Sequence, residues 1–401
     1  MQQVHIDKQL TFRKLNADMK NTRTYITAAL IAIIGGYIIS GEVAYGHTIP
    51  AEHQNEYMVE AEMTETGKAT NEGRTEKGDE KRWAVVELST IYMRLQPNYE
   101  AALETQELMG TIVEIVDEKS YWREIVSPQP YKAWATSKGL VEMSTEEIEE
   151  YKAAPKVMFN DLYGHVYTQP AADSQTICDL VGGDILRIVP QDANRTKGQK
   201  TREALKGKWA HVMLPSGKTG YIPTSQLAPH KGFISIAKGE GNSESISEQT
   251  TEAIIAQAHK LLGVPYLWGG MSSKGVDCSG LVRISHIMNG ILLPRNASQQ
   301  IHCGDRIPMK INRSFWEDRS DAEAFKAEMT GRIAELKRGD LVFFGTPASQ
   351  EGQKDRVTHV GIYLGDGKII HSSHLVRINS LIPGEADYYE NAHRLLGAIR
   401  L

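Results

Sequence analysis

Cysteine is scarce in this chain, at 3 among 401 residues. So few thiols exclude a disulfide-stapled scaffold, and the odd count raises the question of what a lone thiol does. An excess of basic residues is also missing. With a formal net charge of −5 there is no overall positive field to attract a nucleic-acid backbone. Nor is there an apolar stretch of the roughly 20 residues that a spanning helix needs; the uncharged run Tyr25–Ser40 falls short of that length. What remains is ordinary globular composition, 41% apolar, 24% charged and 7% aromatic. It excludes collagen-like, wholly disordered and multi-span membrane proteins, and the length suggests about two to three domains.

The first 46 residues read as an export signal. Lys20 and Arg23 precede the apolar run, and Ala44-Tyr45-Gly46 supplies a small-x-small exit, the arrangement of a secretory leader. Met19 is the better initiator, because Met19-Lys20-Asn21-Thr22-Arg23 makes a normal signal start. The expectation is an exported protein of the periplasm or cell envelope, cut near Gly46; an uncleaved anchor is the alternative. Residues 47–82 then read as a flexible tether. From Glu60 to Arg82 there is no Ile, Leu, Val, Phe, Tyr or Trp, too little apolar surface to offset the entropy of ordering.

Residues 83–150 and 151–237 look like one unit written twice. Gln96-Pro97 stands before Gly110 as Gln169-Pro170 stands before Gly183, at one spacing. Each glycine opens a β-branched run, Thr111–Val116 and Asp184–Val189. Each run leads to a Trp-bearing strand, Tyr121–Val126 and Lys208–Met213, and then to an aromatic closing segment, Tyr131–Trp134 and Gly220–Ile222. Short strands with turn residues between them predict two small β-barrels. The extra Asp192–Gly207 in the second copy reads as a surface loop, and Cys178 as a barrel-core residue. A Gly/Ser/Glu-rich linker, Lys238–Gln249, precedes an amphipathic helix over Thr251–Leu262 with Ile254, Ile255, Ala258, Leu261 and Leu262 on one face.

The chemistry concentrates in residues 245–401. In Val276-Asp277-Cys278-Ser279-Gly280, Asp277 is an acceptable N-cap and Cys278 falls in the first turn of a helix ending at Asn289-Gly290. A helix N-terminus lowers a thiol pKa, and its free N–H groups can hold an oxyanion. The base comes from a hairpin. His359, in an alternating strand, and His371, after Gly365-Asp366-Gly367, fall on one face by parity. A thiol, a base and a group that orients the base form a generalised triad. No zinc-like spacing accompanies these residues, so neither metal nor cofactor is expected. His286, His302 and His374 read as surface or packing histidines. Asp318–Arg338 reads as a helix-like insertion. Pairing of Cys178 with Cys303 is left open.

Tyr266-x-Trp268-Gly269-Gly270, Asp277-Cys278-Ser279-Gly280-Leu281, Gly339-Asp340-Leu341-Val342-Phe343-Phe344 and His359-Val360-Gly361-Ile362-Tyr363 together resemble the NlpC-type papain-like cysteine peptidases that cut cell-wall peptides. The two repeated units resemble bacterial SH3-like domains. The resemblance implies a multidomain protein, two small all-β SH3-like barrels followed by an α+β papain-like catalytic domain. It implies Cys278 as nucleophile, His359 as base, His371 as orienting residue, and Tyr266 hydrogen-bonding near the nucleophile. The whole arrangement is similar to γ-D-glutamyl-L-diamino acid endopeptidases, in which the first SH3-like domain walls the cleft. By that likeness Glu104, Tyr131 and Asp277 hold a free L-Ala ammonium, and Ser279 and Ser298 hold the D-Glu α-carboxylate. The partners so implied are peptidoglycan stem peptides, with the protein a monomer that binds neither nucleic acid nor metal. A peptidoglycan amidase or thiol acyltransferase, and a non-catalytic wall-binding protein, are the rival readings.

Overall fold

Residues 81–189, 196–236, 246–348 and 354–401 are described by the computed structural model. The leader reading for residues 1–46, nearly all of the tether and most of the second linker lie outside the described residues. Among the described residues no helix is long and apolar enough to cross a membrane.

The first repeat forms β1 (Arg82–Val86), β2 (Thr90–Arg94), β3 (Leu103–Leu108), β4 (Ile112–Lys119), β5 (Trp122–Ser127), β6 (Tyr131–Thr136) and β7 (Leu140–Met143). They join in the order β3-β2-β6-β5-β4-β1-β7. Helix α1 (Thr145–Ala153) follows. The second repeat forms β8 (Lys156–Phe159), β9 (Tyr163–Tyr167), β10 (Thr176–Val181), β11 (Ile185–Ile188), helix α2 (Lys197–Ala204), β12 (Trp209–Met213), β13 (Thr219–Pro223) and β14 (Leu227–His230). Its order, β10-β9-β13-β12-β11-β8-β14, repeats the first sheet strand for strand. Gly110 and Gly183, matched by the sequence spacing, both take positive φ, +86° and +97°, a region in which only glycine is free of strain. Alternate residues of each sheet point inward, Ala84, Val86, Met93, Val113, Ile125 and Ala133 in the first and Val157, Phe159, Val166, Leu186, Val212 and Ile222 in the second.

Two expectations need correction here. The segment read as a surface loop contains α2, opened by a capping box between Thr196 and Gln199. The boundary drawn at residue 150 falls inside α1, whose Ser144–Glu147 capping box starts it and whose Ile148 and Tyr151 are buried with Val85. Neither repeat is therefore bare of helix.

The chain continues through β15 (Ile234–Ser235), α3 (Glu248–Lys260), β16 (Met271–Ser272), β17 (Gly275–Val276), α4 (Cys278–Ile287), β18 (Ile291–Leu292), α5 (Ala297–Gln300), β19 (Asp305–Ile307), α6 (Ser314–Glu317) and α7 (Ala322–Ile333). It ends in β20 (Leu341–Thr346), β21 (Arg356–Gly365), β22 (Lys368–Ser373), β23 (Leu375–Ser380) and β24 (Leu395–Arg400). The main sheet runs β19-β24-β20-β21-β22-β23. Helix α3 starts three residues before its expected position because Ser247 caps it, its hydroxyl accepting from the Thr250 N–H. Ile254, Ile255, Ala258 and Leu261 are buried as expected, whereas Leu262 lies past the helix end and is exposed. One core runs from α3 and α4 to the inner face of the sheet and takes in Leu108, Met158, Val181 and Ile185 from the two repeats. Most of the insertion is α7, which buries Phe325, Met329 and Ile333 against Val342, Phe344 and Tyr389 on the other face.

Candidate active site

Asp277 starts α4, its Oδ1 accepting from the Gly280 N–H at 2.7 Å. Gly280 is required by packing: a Cβ there would sit 2.0 Å from the Gly270 carbonyl oxygen. Cys278 therefore occupies the first helical turn, as expected, and is buried. Its thiol faces the backbone N–H groups of Val360 and Ser279. Val360 follows His359, so the β21 strand brings the imidazole-bearing backbone to the head of α4.

The hairpin register sets the two histidines diagonally on one face, with Tyr363 opposite Ile369 and Ile362 opposite Ile370. His359 Nε2 lies 2.7 Å from His371 Nδ1, and His371 Nε2 lies 2.9 Å from Asn379 Oδ1. Asn379 Nδ2 donates to the Asp387 carbonyl at 2.7 Å. A carbonyl can only accept, so this last bond orients the Asn379 amide and fixes every hydrogen that follows. Asn379 Oδ1 accepts from His371 Nε2–H, His371 Nδ1 accepts from His359 Nε2–H, and His359 Nδ1 is left with a lone pair. A base of the right tautomer results. Phe344 and Tyr389 enclose it, with ring centroids 5.9 and 5.6 Å from that of His359. Sequence reasoning missed Asn379 and Tyr389, because its strand assignment stopped at His371.

Burial dominates the protonation equilibria. It pushes the Cys278 thiol up to about 12, Asp277 adding to the rise, while the Val360 N–H, Arg295 and the Ser279 N–H oppose it. The expectation of a lowered thiol pKa is thus overturned: the helix N-terminus is outweighed by loss of water. His359 is held well below its usual value, by burial first and by His371 and Arg377 after it. His371 is held down to about 4 by burial, against the Asn379 hydrogen bond. These directions favour a protonated thiol on Cys278 and a neutral imidazole on His359.

The candidate substrate-binding residues divide into two groups. Tyr131 donates to Glu104 Oε2 at 2.7 Å, and burial, followed by Glu104, raises the phenol pKa while Arg295 and Asn296 lower it. Asp277 is engaged elsewhere. Arg295, missed by the sequence reading, donates to Asp277 Oδ2 at 2.6 Å and to Oδ1 at 3.1 Å. The Gly269 N–H donates to Oδ2 at 3.0 Å and Ser279 Oγ to Oδ1 at 3.2 Å. With those donors and Gly280, the carboxylate is held chiefly as the partner of Arg295. Ser279 Oγ also accepts from Arg295 Nη1 at 2.9 Å. Ser298 is exposed in the first turn of α5. Tyr266 is half-buried, and burial, Cys278 and Asp277 together raise its phenol pKa.

Arg295 also ties the first repeat to this site, its Nε donating to Thr105 Oγ1 at 2.7 Å. The Met271 N–H donates to Gln106 Oε1 at 2.8 Å. Strand β3 therefore lies against the Gly270–Asp277 segment and brings Glu104 with it. The remaining cysteines stand apart. All three thiols are free, Cys178 is half-buried in β10, and Cys303 is buried beside the carbonyls of Ile236 and Gln299.

Residues 263–393 match the model of the NlpC/P60 family. A γ-D-glutamyl-L-lysine dipeptidyl-peptidase of Bacillus cereus is 24% identical over 326 residues, 78% of this chain and 81% of that protein. Dipeptidyl-peptidase 6 of Lysinibacillus sphaericus is 25% identical over 302 residues, 74% of this chain and 91% of that protein. The crystal structure of an NlpC/P60 family protein from Bacillus cereus superposes with a TM-score of 0.55 at 20% identity, covering 79% of this chain and 99% of that one; this last likeness bears on the fold. The chain therefore carries, in residues 263–393, a domain of the NlpC/P60 family of cysteine peptidases.

Proposed function

We propose that the protein is an exported cysteine endopeptidase of peptidoglycan stem peptides, hydrolysing the bond between γ-D-Glu and the diamino acid when L-Ala carries a free amine. The observation that carries the catalytic part is the hydrogen-bonded series Asp387–Asn379–His371–His359, which leaves a basic nitrogen on the strand facing Cys278. His359 Nδ1 takes the Cys278 proton as the sulfur attacks the γ-carbonyl. The first-turn N–H groups of Cys278 and Ser279 have no acceptor within α4 and can hold the developing oxyanion. The proton passes from His359 to the leaving amine, the C–N bond breaks, and a thioester remains. Water, deprotonated by the same imidazole, attacks the thioester and restores the thiol.

The amine restriction rests on Glu104 and Tyr131, presented by β3 and β6 of the first repeat, which we read as an SH3-like unit. A carboxylate with a phenol beside it suits an ammonium. Ser298 and, after rearrangement of its present bonds, Ser279 are the residues proposed for the D-Glu α-carboxylate, with Tyr266 close to the reacting sulfur. The name of the Bacillus cereus relative supports the same bond, and the names of both relatives, dipeptidyl-peptidases, support the same end of the peptide.

Product masses from L-Ala-γ-D-Glu-diaminopimelate and its N-acetylated form test the reading. We expect L-Ala-D-Glu and free diamino acid from the first and almost nothing from the second. Glu104→Gln should raise KM for the free-amine peptide by about tenfold or more, the loss of one charge-assisted contact. Equal cleavage of the blocked peptide by wild type would remove the amine restriction. Products of any other bond would remove the specificity.

A further inference from the structure

A cavity of about 280 Å³ lies where both repeats meet the back of α4, away from the Cys278 end of that helix. Its charges are unbalanced. Arg283 lines it together with Lys152, Lys156, Lys197 and Lys231, and Glu107 is the one acid among its described lining residues. Arg283 is almost fully buried, at 1% exposure. Among the described residues its Nε and Nη1 have no hydrogen-bond partner, and neither has Glu107 Oε1. The Arg283 Nη2–Glu107 Oε1 separation of 3.6 Å is too long for a hydrogen bond, and Nη2 reaches only the Pro128 carbonyl, at 3.3 Å. Leaving buried guanidinium donors unmet is costly, and such groups ordinarily have partners.

Among the described residues, Lys156 and Lys197 are met by carbonyls, and Lys152 is paired with a carboxylate. Lys156 is capped by the carbonyls of Tyr151, Lys152 and Ala154 and lies over the Tyr151 ring, partners that carry no formal charge. Lys197 reaches the Lys152 carbonyl, and Lys152 pairs with Glu149 at 2.7 Å. Burial first, then Lys197 and Arg187, lower the Lys156 pKa to about 8. Most of the remaining wall is apolar, from Leu108, Ile112, Ile185, Phe233, Ile287 and Leu292.

We propose that this cavity binds a small organic anion, an apolar body bearing a phosphate or carboxylate group, with the anionic end at Arg283 and Lys156 and the apolar end against the hydrophobic wall. The inference is independent of the peptide specificity proposed above. A bound anion would bridge both repeats and α4, and its charge would meet the donors that Arg283 leaves free.

Calorimetric titration of the full chain with phenyl phosphate, benzoate, inorganic phosphate and phenol tests this. Saturable one-to-one binding of phenyl phosphate or benzoate is expected, and whichever binds more tightly names the anionic group. Inorganic phosphate and phenol, each lacking one half of the ligand, should bind at least about tenfold more weakly. Lys197→Gln with Lys231→Gln, both exposed at the rim, leaves the buried charges intact and should weaken binding severalfold. Lys156→Met should weaken it about tenfold or more, as expected for one lost charge-assisted bond. No saturable heat with either aromatic anion, or equal affinity in wild type and both variants, would overturn the proposal and leave the buried Arg283 donors to ordinary water.

Discussion

In the proposed mechanism His359 serves as base only while its imidazole is neutral, and burial favours that form. Since burial holds its pKa well below 6.5, acidification from pH 7 to pH 6 should leave kcat/KM nearly unchanged. Loss should come only as pH falls through the lowered value; a pH–rate profile with its acid limb at 6.5 or above would contradict this. Asn379 acts one residue further out. Asn379→Leu removes the acceptor that holds His371 Nε2–H, freeing the tautomer of the whole series. Loss of such an orienting bond typically costs 10–100-fold, and we expect a fall of about that size in kcat with KM little changed. Steady-state kinetics on one peptide separates the two. The place of Cys278 in a first helical turn and of both histidines on one face was legible from capping, spacing and parity, because strand alternation alone puts residues 359 and 371 on one face. Asn379, Arg295 and Tyr389 were not, since nothing local marks them: each matters through a partner distant in the sequence. The thiol pKa was misjudged for a related reason, as a helix N-terminus is legible in a sequence and the burial that outweighs it is not.

At the scale of elements, the repeat was the clearest signal. Two Gln-Pro-to-Gly spacings and two Trp-bearing strands anticipated sheets with identical strand order. Helices α1 and α2 were missed because their sequences are polar on nearly all sides, which weakens the periodic pattern. Their signals were the capping boxes Ser144-x-x-Glu147 and Thr196-x-x-Gln199. The insertion containing α7 gains a purpose from its position. Met329, fully buried, packs in the same core as Phe344 and Tyr389, the rings that enclose His359. Met329→Ala should destabilise by about 2–5 kcal/mol through the cavity it leaves, measured by urea unfolding. A change under 0.5 kcal/mol would show that α7 is not part of the cooperative core.

Across the whole molecule, buried charge and buried histidine set the conditions under which the fold holds. Arg295 sits between the first repeat and the site, bonded to Thr105 on one side and Asp277 on the other. Arg295→Met leaves Asp277 buried without its counter-charge, a change that costs about 3–5 kcal/mol in comparable pairs and should lower the unfolding midpoint accordingly. Acid acts more broadly. His230, His286 and His371 are each held at about 4 by burial, below the 6.5 of an unfolded histidine. Between those values the unfolded chain binds more protons than the folded one, so stability falls as pH drops from 6.5 towards 4. The slope from these three groups reaches about 4 kcal/mol per pH unit at its limit. Unfolding midpoints at pH 7 and pH 5 should therefore differ in that direction, and equal midpoints would contradict the burial of these neutral rings.

The account stands or falls on the sulfur of residue 278. Wild type and Cys278→Ala, both verified as folded by circular dichroism, should be incubated with L-Ala-γ-D-Glu-diaminopimelate and the products read by mass. The account predicts complete conversion to L-Ala-D-Glu by the first and no product from the second. Cleavage by the alanine variant at a rate near that of wild type would contradict it.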